Sequence, residues 1–147
     1  ENRVVLVAED DDKDMMLLEH AFRRANSRAD LRFVADGKQA MAYLRAKDPY
    51  SDRGKFPFPA FVLLDINMPK MNGLEVLKAI RDDPDLTRLT VIIFSSSAHE
   101  RDVNRASDLH ANSYLVKPSD NHTLTKLCQV LEEYWLTHHR RAPCRWE

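Results

Sequence analysis

The sequence predicts an α/β fold, a parallel sheet with helices on both faces. Three observations carry this. Short apolar runs alternate with stretches of helical periodicity five times along the chain. The runs are apolar at successive positions rather than at every second one, as strands covered on both faces require. The spacers between runs are filled mostly by helix, which is how parallel neighbours are joined.

Val4-Val5-Leu6-Val7-Ala8 is the first strand. Helical spacing follows from Lys13 to Ala25, with Met15, Leu18 and Phe22 three and four residues apart. Leu31 to Val34 is a short second strand. Asp36-Gly37 makes a turn, and Gln39 to Arg45 a helix that turns Ala40, Met41 and Leu44 inward. Residues 46–59 form a Pro-rich loop, long for an α/β connection. Phe61 to Leu64 is the third strand. Leu74 to Arg81 is the third helix, stopped by Asp82-Asp83-Pro84 because the residue before a proline is pushed out of the helical region. Val91-Ile92-Ile93-Phe94 is the fourth strand, Glu100 to Leu109 a helix, Tyr114-Leu115-Val116 the fifth strand, and Asn121 to about Leu136 the last helix. No internal repeat is visible.

At 147 residues, 44% hydrophobic and 31% charged, the chain has the size and balance of one soluble domain. We take 1–147 as that domain, with a core over 3–137 and a tail from 138. A net charge of −1 argues against a nucleic-acid partner, which needs a basic face. No apolar run approaches the ~20 residues of a membrane span, and no signal peptide precedes the first strand. Cys128 and Cys144 have neither metal spacing nor a disulfide framework, which favours a reducing cytoplasm. Cys128 falls in an apolar helical pattern and reads as core. The six histidines show no ligand spacing. The run His138-His139-Arg140-Arg141 sits just past a helix end, where positive charge complements the dipole.

The polar residues that close the strands carry the chemistry. The first strand ends in Glu9-Asp10-Asp11-Asp12, the third in Asp65, the fourth in Ser95-Ser96-Ser97 and the fifth in Lys117-Pro118. Parallel strands bring these ends to one edge, where open α/β sheets bind ligands. Three carboxylates within ~4–6 Å repel by a few kcal/mol per close pair at an effective dielectric of ~20. They either shift their pKa values or bind a cation. An all-oxygen site with few ligands suits Mg²⁺, which keeps several waters and bridges to phosphate. A carboxylate beside Mg²⁺ can attack phosphorus, and a nearby ammonium and hydroxyl can stabilise the transferred oxygens. The residues therefore predict an acyl-phosphate site on Asp65. The run at 9–12 also has a plain reading as a helix N-terminus, in which Asp11 or Asp12 is simply an N-cap.

The motifs Val7-Ala8-Glu9-Asp10-Asp11, Leu63-Leu64-Asp65-Ile66-Asn67-Met68-Pro69-Lys70-Met71-Asn72-Gly73, Phe94-Ser95 and Tyr114-Leu115-Val116-Lys117-Pro118 stand in this order. Together they make the chain resemble the receiver domains of two-component response regulators over about residues 3–137. The resemblance implies a flavodoxin-like fold with a five-stranded sheet of order 2-1-3-4-5. It implies Asp65 as phosphoacceptor, with Mg²⁺ held by the acidic pair Glu9 and Asp10 (Asp10 ligating directly), by Asp65 and by the backbone carbonyl of Asn67. Ser95 would be the switch hydroxyl and Lys117 the phosphate-binding ammonium. Tyr114 would be a rotameric switch, inward when phosphorylated and outward when not, though it also reads as a plain strand aromatic. Lys117–Pro118 would be a cis peptide. Within the family the chain is most similar to the stand-alone regulators paired with bacterial phytochromes, through the long loop Asp48 to Pro59 and the aromatic end Tyr134-Trp135-Leu136. Ser95 stands where those regulators carry Thr, and Asp12 where a Pro is common.

The implied function is a switch rather than a turnover enzyme. A sensor histidine kinase supplies the phosphoryl group, and about ten residues after the last helix leave no room for an output domain. Output would then run through a downstream protein, onward phosphotransfer or a homodimer. In the last helix Leu124, Leu127, Cys128, Leu131 and Trp135 form the stripe expected to pack on the sheet. Val130 and Tyr134 fall outside it, and with Trp135 they are the dimer candidates. Two alternatives differ in class. A phosphatase working through an aspartyl phosphate needs an acid two residues past the nucleophile, where Asn67 stands. A receiver-like scaffold that binds without phosphorylation would have lost the acidic pair or the lysine, and neither is lost.

Overall fold

Side chains alternate between the faces of a strand, so a run that is apolar throughout needs cover on both sides. The computed structural model, which describes residues 2–145, provides it. The elements run β1 (Val4–Ala8), α1 (Asp12–Arg24), β2 (Asp30–Val34), α2 (Gly37–Leu44), β3 (Phe61–Leu64), α3 (Gly73–Asp82), β4 (Thr90–Ser95), α4 (Glu100–Asp108), β5 (Ser113–Val116) and α5 (Asn121–Leu131). All strands are parallel, in the order β2-β1-β3-β4-β5. This is the flavodoxin-like arrangement, and it matches the expected elements to within a few residues at their ends. No helix among the described residues is long and apolar enough to cross a membrane.

Alternation divides the core in two. Val5, Val7, Phe61, Leu63, Ile92 and Phe94 pack under α1 and α5 against Leu18, Phe22, Leu124 and Cys128. Leu6, Ala8, Val62, Leu64, Val91 and Ile93 face the other way, toward Met41, Leu44, Val76, Leu77 and Ile80 of α2 and α3 and Ala106 of α4. Cys128 is core as read, and burial pushes its thiol up to about 12, which leaves it inert.

The loop after α2 is a built element. The Arg53 guanidinium donates to the carbonyls of Tyr43 (2.9 Å) and Leu44 (2.7 Å), closing the C-terminus of α2. Tyr43, Tyr50 and Phe56 meet with ring centroids 5.1–6.0 Å apart, and the Tyr43 hydroxyl donates to the Pro57 carbonyl at 2.8 Å.

The end of the chain departs from the sequence reading in two ways. α5 stops at Leu131, and a π-helical turn over Glu132–His138 continues it. Leu131 and Leu136, five residues apart, are both buried, a spacing that the wider π turn brings onto one side. An α-helix at ~100° per residue would rotate them ~140° apart. Leu136, outside the expected stripe, is thus buried, while Trp135 packs half-buried against the α1/α5 layer. Beyond it, residues 139–145 are no loose tail. His139 approaches Thr90 at 3.5 Å, Cys144 is buried against Leu86, and the Arg145 N–H donates to the Asp85 carbonyl at 3.2 Å. They strap the N-terminal edge of the sheet, because a buried Cys144 and paired backbone outweigh the polar composition of the segment. Residues 146 and 147 lie outside the described part.

One glycine locks the loop after β3. A Cβ on Gly73 would lie 2.1 Å from the Asp65 carbonyl oxygen and 2.9 Å from the Ile66 Cα, backbone atoms that cannot swing away. Gly73→Ala is therefore expected to lose roughly 1–3 kcal/mol of stability by urea unfolding, and an unchanged midpoint would refute this account of the close approach.

Candidate functional site

The register of the sheet places the site. Ala8, Leu64, Ile93 and Tyr114 form one row across β1, β3, β4 and β5. Glu9 and Asp65 stand one step beyond it, so by alternation they share the face of Val7 and Leu63, under α1 and α5. Lys117, two residues past Leu115, points the same way. Ser95 and Tyr114 fall on the opposite parity, toward α3 and α4. Charge therefore gathers on one side of the edge and the hydroxyl pair on the other.

On the charged side Lys117 Nζ meets three carboxylates. It contacts Glu9 Oε1, Asp14 Oδ2 at 2.9 Å and Asp65 Oδ2 at 3.2 Å. It also lies 5.9 Å from the centroid of the Phe94 ring. Burial works to lower the Lys117 pKa, but hydrogen bonds to Glu9 and Asp14 and the charges of Asp65 and Glu9 outweigh it, and the net shift is upward. Glu9 is buried, and burial pushes it up to about 7 against the opposing pull of Lys117, with the Asp65 charge adding to the rise. Asp65 is buried as well, and its N–H donates to the Ala8 carbonyl at 3.1 Å, which ties β3 to β1 at the site itself.

Asp10 is exposed beside this pair. Glu9, Asp10 and Asp65 each offer a carboxylate oxygen, all within 4.8 Å of one another. The donor set is all oxygen, and two of the acids are buried where they repel, so the cluster fits a hard divalent cation. Asn67 follows in the exposed loop, with its N–H 3.4 Å from Asp65 Oδ1. Asp11 is the N-cap of α1, accepting from the N–H groups of Lys13 (2.8 Å) and Asp14 (3.1 Å), which is the plain role foreseen for it.

On the other side Ser95 is fully buried, and its Oγ accepts from the Ser97 N–H at 3.2 Å. The Ser97 Oγ donates to Asp102 Oδ2 at 2.5 Å. Tyr114 is half-buried and turned toward this loop, its hydroxyl donating to the Ser97 carbonyl at 2.8 Å. Ser97 thus links Ser95, α4 and Tyr114.

The structure brings together Glu9, Asp10, Asp65 and Lys117, with Ser95 and Tyr114 behind them. It corrects one expectation. Lys117–Pro118 is trans, and Asp48–Pro49 is the only cis peptide among the described residues. The two X–Pro isomers are nearly balanced in energy, so a Lys-Pro pair alone does not decide between them. The sequence reading missed Asp14. It sits in α1 one turn before Leu18 and two turns before Ala21 and Phe22, an acid on the inward face of a helix whose first turn abuts the site. Of the dimer candidates, Val130 (60% exposed) and Tyr134 (52%) are on the surface, while Trp135 is turned inward.

The elevated Glu9 pKa sets a pH dependence. Its contribution to stability is fully present below its ordinary carboxylate value of 4.5 and is lost as pH rises through about 7. Cation-free protein is expected to lose stability between pH 5 and 8 in urea unfolding, and Glu9→Gln to flatten that slope. A slope equal in both proteins would remove Glu9 as its source.

The chain is similar to known proteins along most of its length. The model of the response regulator receiver domain matches residues 5–129. The chain is 36% identical over 134 residues to response regulator Rcp1 of Synechocystis sp., covering 91% of this chain and 89% of that protein. Among solved structures, the response regulator RPA3017 in red light signaling of R. palustris superposes with a TM-score of 0.89 at 38% identity, over 95% of this chain and 97% of that one. The phosphorylated cyanobacterial phytochrome response regulator RcpA gives 0.86 at 33% identity, over 96% and 99%. The Mn²⁺-bound form of Rcp1 gives 0.83 at 34%, over 95% and 99%. With that match running from the first strand into the last helix, the chain belongs to the family of response regulator receiver domains.

Proposed function

We propose that this protein accepts a phosphoryl group on Asp65 from the phosphohistidine of a sensor histidine kinase, and that the modification switches a surface read by a partner. The observation that carries the reading is Lys117 Nζ, 3.2 Å from Asp65 Oδ2 and held there by Glu9, with buried Ser95 at the end of the next strand. An ammonium in that place can follow charge as it develops on oxygens attached to Asp65.

A divalent cation, Mg²⁺ in our reading, would be held by Asp10, Asp65, the Asn67 carbonyl and Glu9, and would neutralise the charge of the incoming phosphoryl oxygens. The Asp65 carboxylate attacks phosphorus in line. Its O–P bond forms as the donor's N–P bond breaks, and the histidine nitrogen leaves with the electron pair and takes a proton from solvent. Lys117 donates to the phosphoryl oxygens. Asp65 has then exchanged a carboxylate for an acyl phosphate, with roughly one added negative charge. Ser95 turns its hydroxyl toward a phosphoryl oxygen, which alters the footing of Ser97 and through it the settings of α4 and Tyr114. Phosphorylation biases an equilibrium between two arrangements. The protein assists its own modification but is a switch, not a turnover enzyme.

The likeness to RPA3017 and RcpA, named for red-light and phytochrome signalling, supports a phytochrome-linked kinase as the donor; a cytoplasmic setting is part of the same proposal. The exposed Val130 and Tyr134 suit contact with a second copy as one output, with a downstream protein as the other.

Intact mass after incubation with acetyl phosphate and MgCl₂ tests the reading. We expect a gain of one phosphoryl group in the wild type and none in Asp65→Asn. No gain in the wild type, even with an active histidine kinase, would overturn it.

A further inference from the structure

Lys117 has three N–H donors, and three carboxylates surround it. Glu9 and Asp65 come from the ends of β1 and β3 and are held by the sheet. Asp14 comes from the first turn of α1, and its side chain is 37% exposed against 12% for that of Lys117. Its direction is set by the Asp11 cap on its own N–H and by the inward face that it shares with Leu18. From there it draws Nζ toward the seam between α1 and α5, where Leu17, Phe94, Pro118 and Leu124 line a small gap. Its contact, at 2.9 Å, is shorter than the 3.2 Å to Asp65.

Resting on the phosphoacceptor reading above, we propose that Asp14 is a positioning residue that competes with Asp65 for the Lys117 ammonium and so sets how firmly Lys117 closes on an anionic group attached to Asp65. A new anion on Asp65 can take over the N–H that Asp65 already holds, but it can recruit a second N–H of Lys117 only if Glu9 or Asp14 releases one. Release by Glu9 would leave a buried carboxylate short of its partner, which is costly. Asp14 is open enough to be hydrated when it lets go, so it is the partner that yields. Its charge acts in the same sense. Glu9, Asp14 and Asp65 surround one ammonium and Asp10 stands beside them, an excess of negative charge that favours a cation at the edge and opposes an anion. Removing Asp14 therefore moves the two affinities in opposite directions, whereas simple damage to the fold would lower both.

The test titrates the full chain with Mg²⁺ alone by calorimetry, then with beryllofluoride at saturating Mg²⁺ by fluorine NMR. Asp14→Asn is expected to weaken Mg²⁺ and tighten beryllofluoride, each about two- to fivefold. Asp14→Ser, which keeps a hydroxyl in the helix's first turn, should do the same, and Asp14→Glu should restore wild-type values. Asp12→Asn removes an exposed acid from the same turn and should leave both affinities within twofold. The proposal is overturned if both affinities move in the same direction, if neither moves, or if Asp12→Asn reproduces the split. Absence of beryllofluoride binding by the wild type would instead reject the phosphoacceptor reading, and this proposal with it.

Discussion

The arrangement depends on one ammonium. Among the described residues Lys117 is the single cation in contact with Glu9, Asp14 and Asp65, two of which are buried acids. Taking it away would leave those two facing each other unpaired, a loss on the order of 3–5 kcal/mol. Its place is held by the sheet rather than by its own side chain. The Lys117 N–H donates to the Ser95 carbonyl at 2.8 Å, so the β4–β5 ladder that ends at the buried Ser95 also fixes the base of the lysine. A disturbance of either residue reaches the other through one hydrogen bond.

Parity explains why the site has two sides. Residues that leave the strands on the α1/α5 side are acids and a lysine, and on the α3/α4 side a serine and a tyrosine. Under the proposed function the first group does chemistry with charge and the second reports it. They are separated by the thickness of the sheet edge and joined by β4, where Phe94 faces one way and Ser95 the other. The parallel fold is thus more than a platform for the site. It sorts the site's residues by role.

Most of the fold was legible because continuous apolar runs are a strong signal for strands buried on both faces, and all four site-bearing runs ended in a polar residue where the strand does. Glu9, Asp65, Ser95 and Lys117 could be read for that reason. What escaped depended on contacts that periodicity does not record. Asp14 lay outside the acidic run and inside a helix, and its role appears only when α1 is laid against β1. The α-helical pattern of Leu124, Cys128 and Leu131 extrapolates to Trp135, yet the chain widens into a π turn that buries Leu136. The strap after residue 138 is polar in composition, and a single buried cysteine near its end is too faint a signal to announce docking.

Ser97 makes its links with different parts of itself. Its amide meets Ser95, its carbonyl meets Tyr114, and only its hydroxyl reaches Asp102 and α4. The path from the buried hydroxyl to the tyrosine is therefore written in main-chain atoms that every residue except proline possesses. A replacement of the side chain at position 97 would change the hold on α4 and leave those main-chain links in place. The relay is tolerant of mutation where it looks most exposed to it, and proline is the one residue that would cut it.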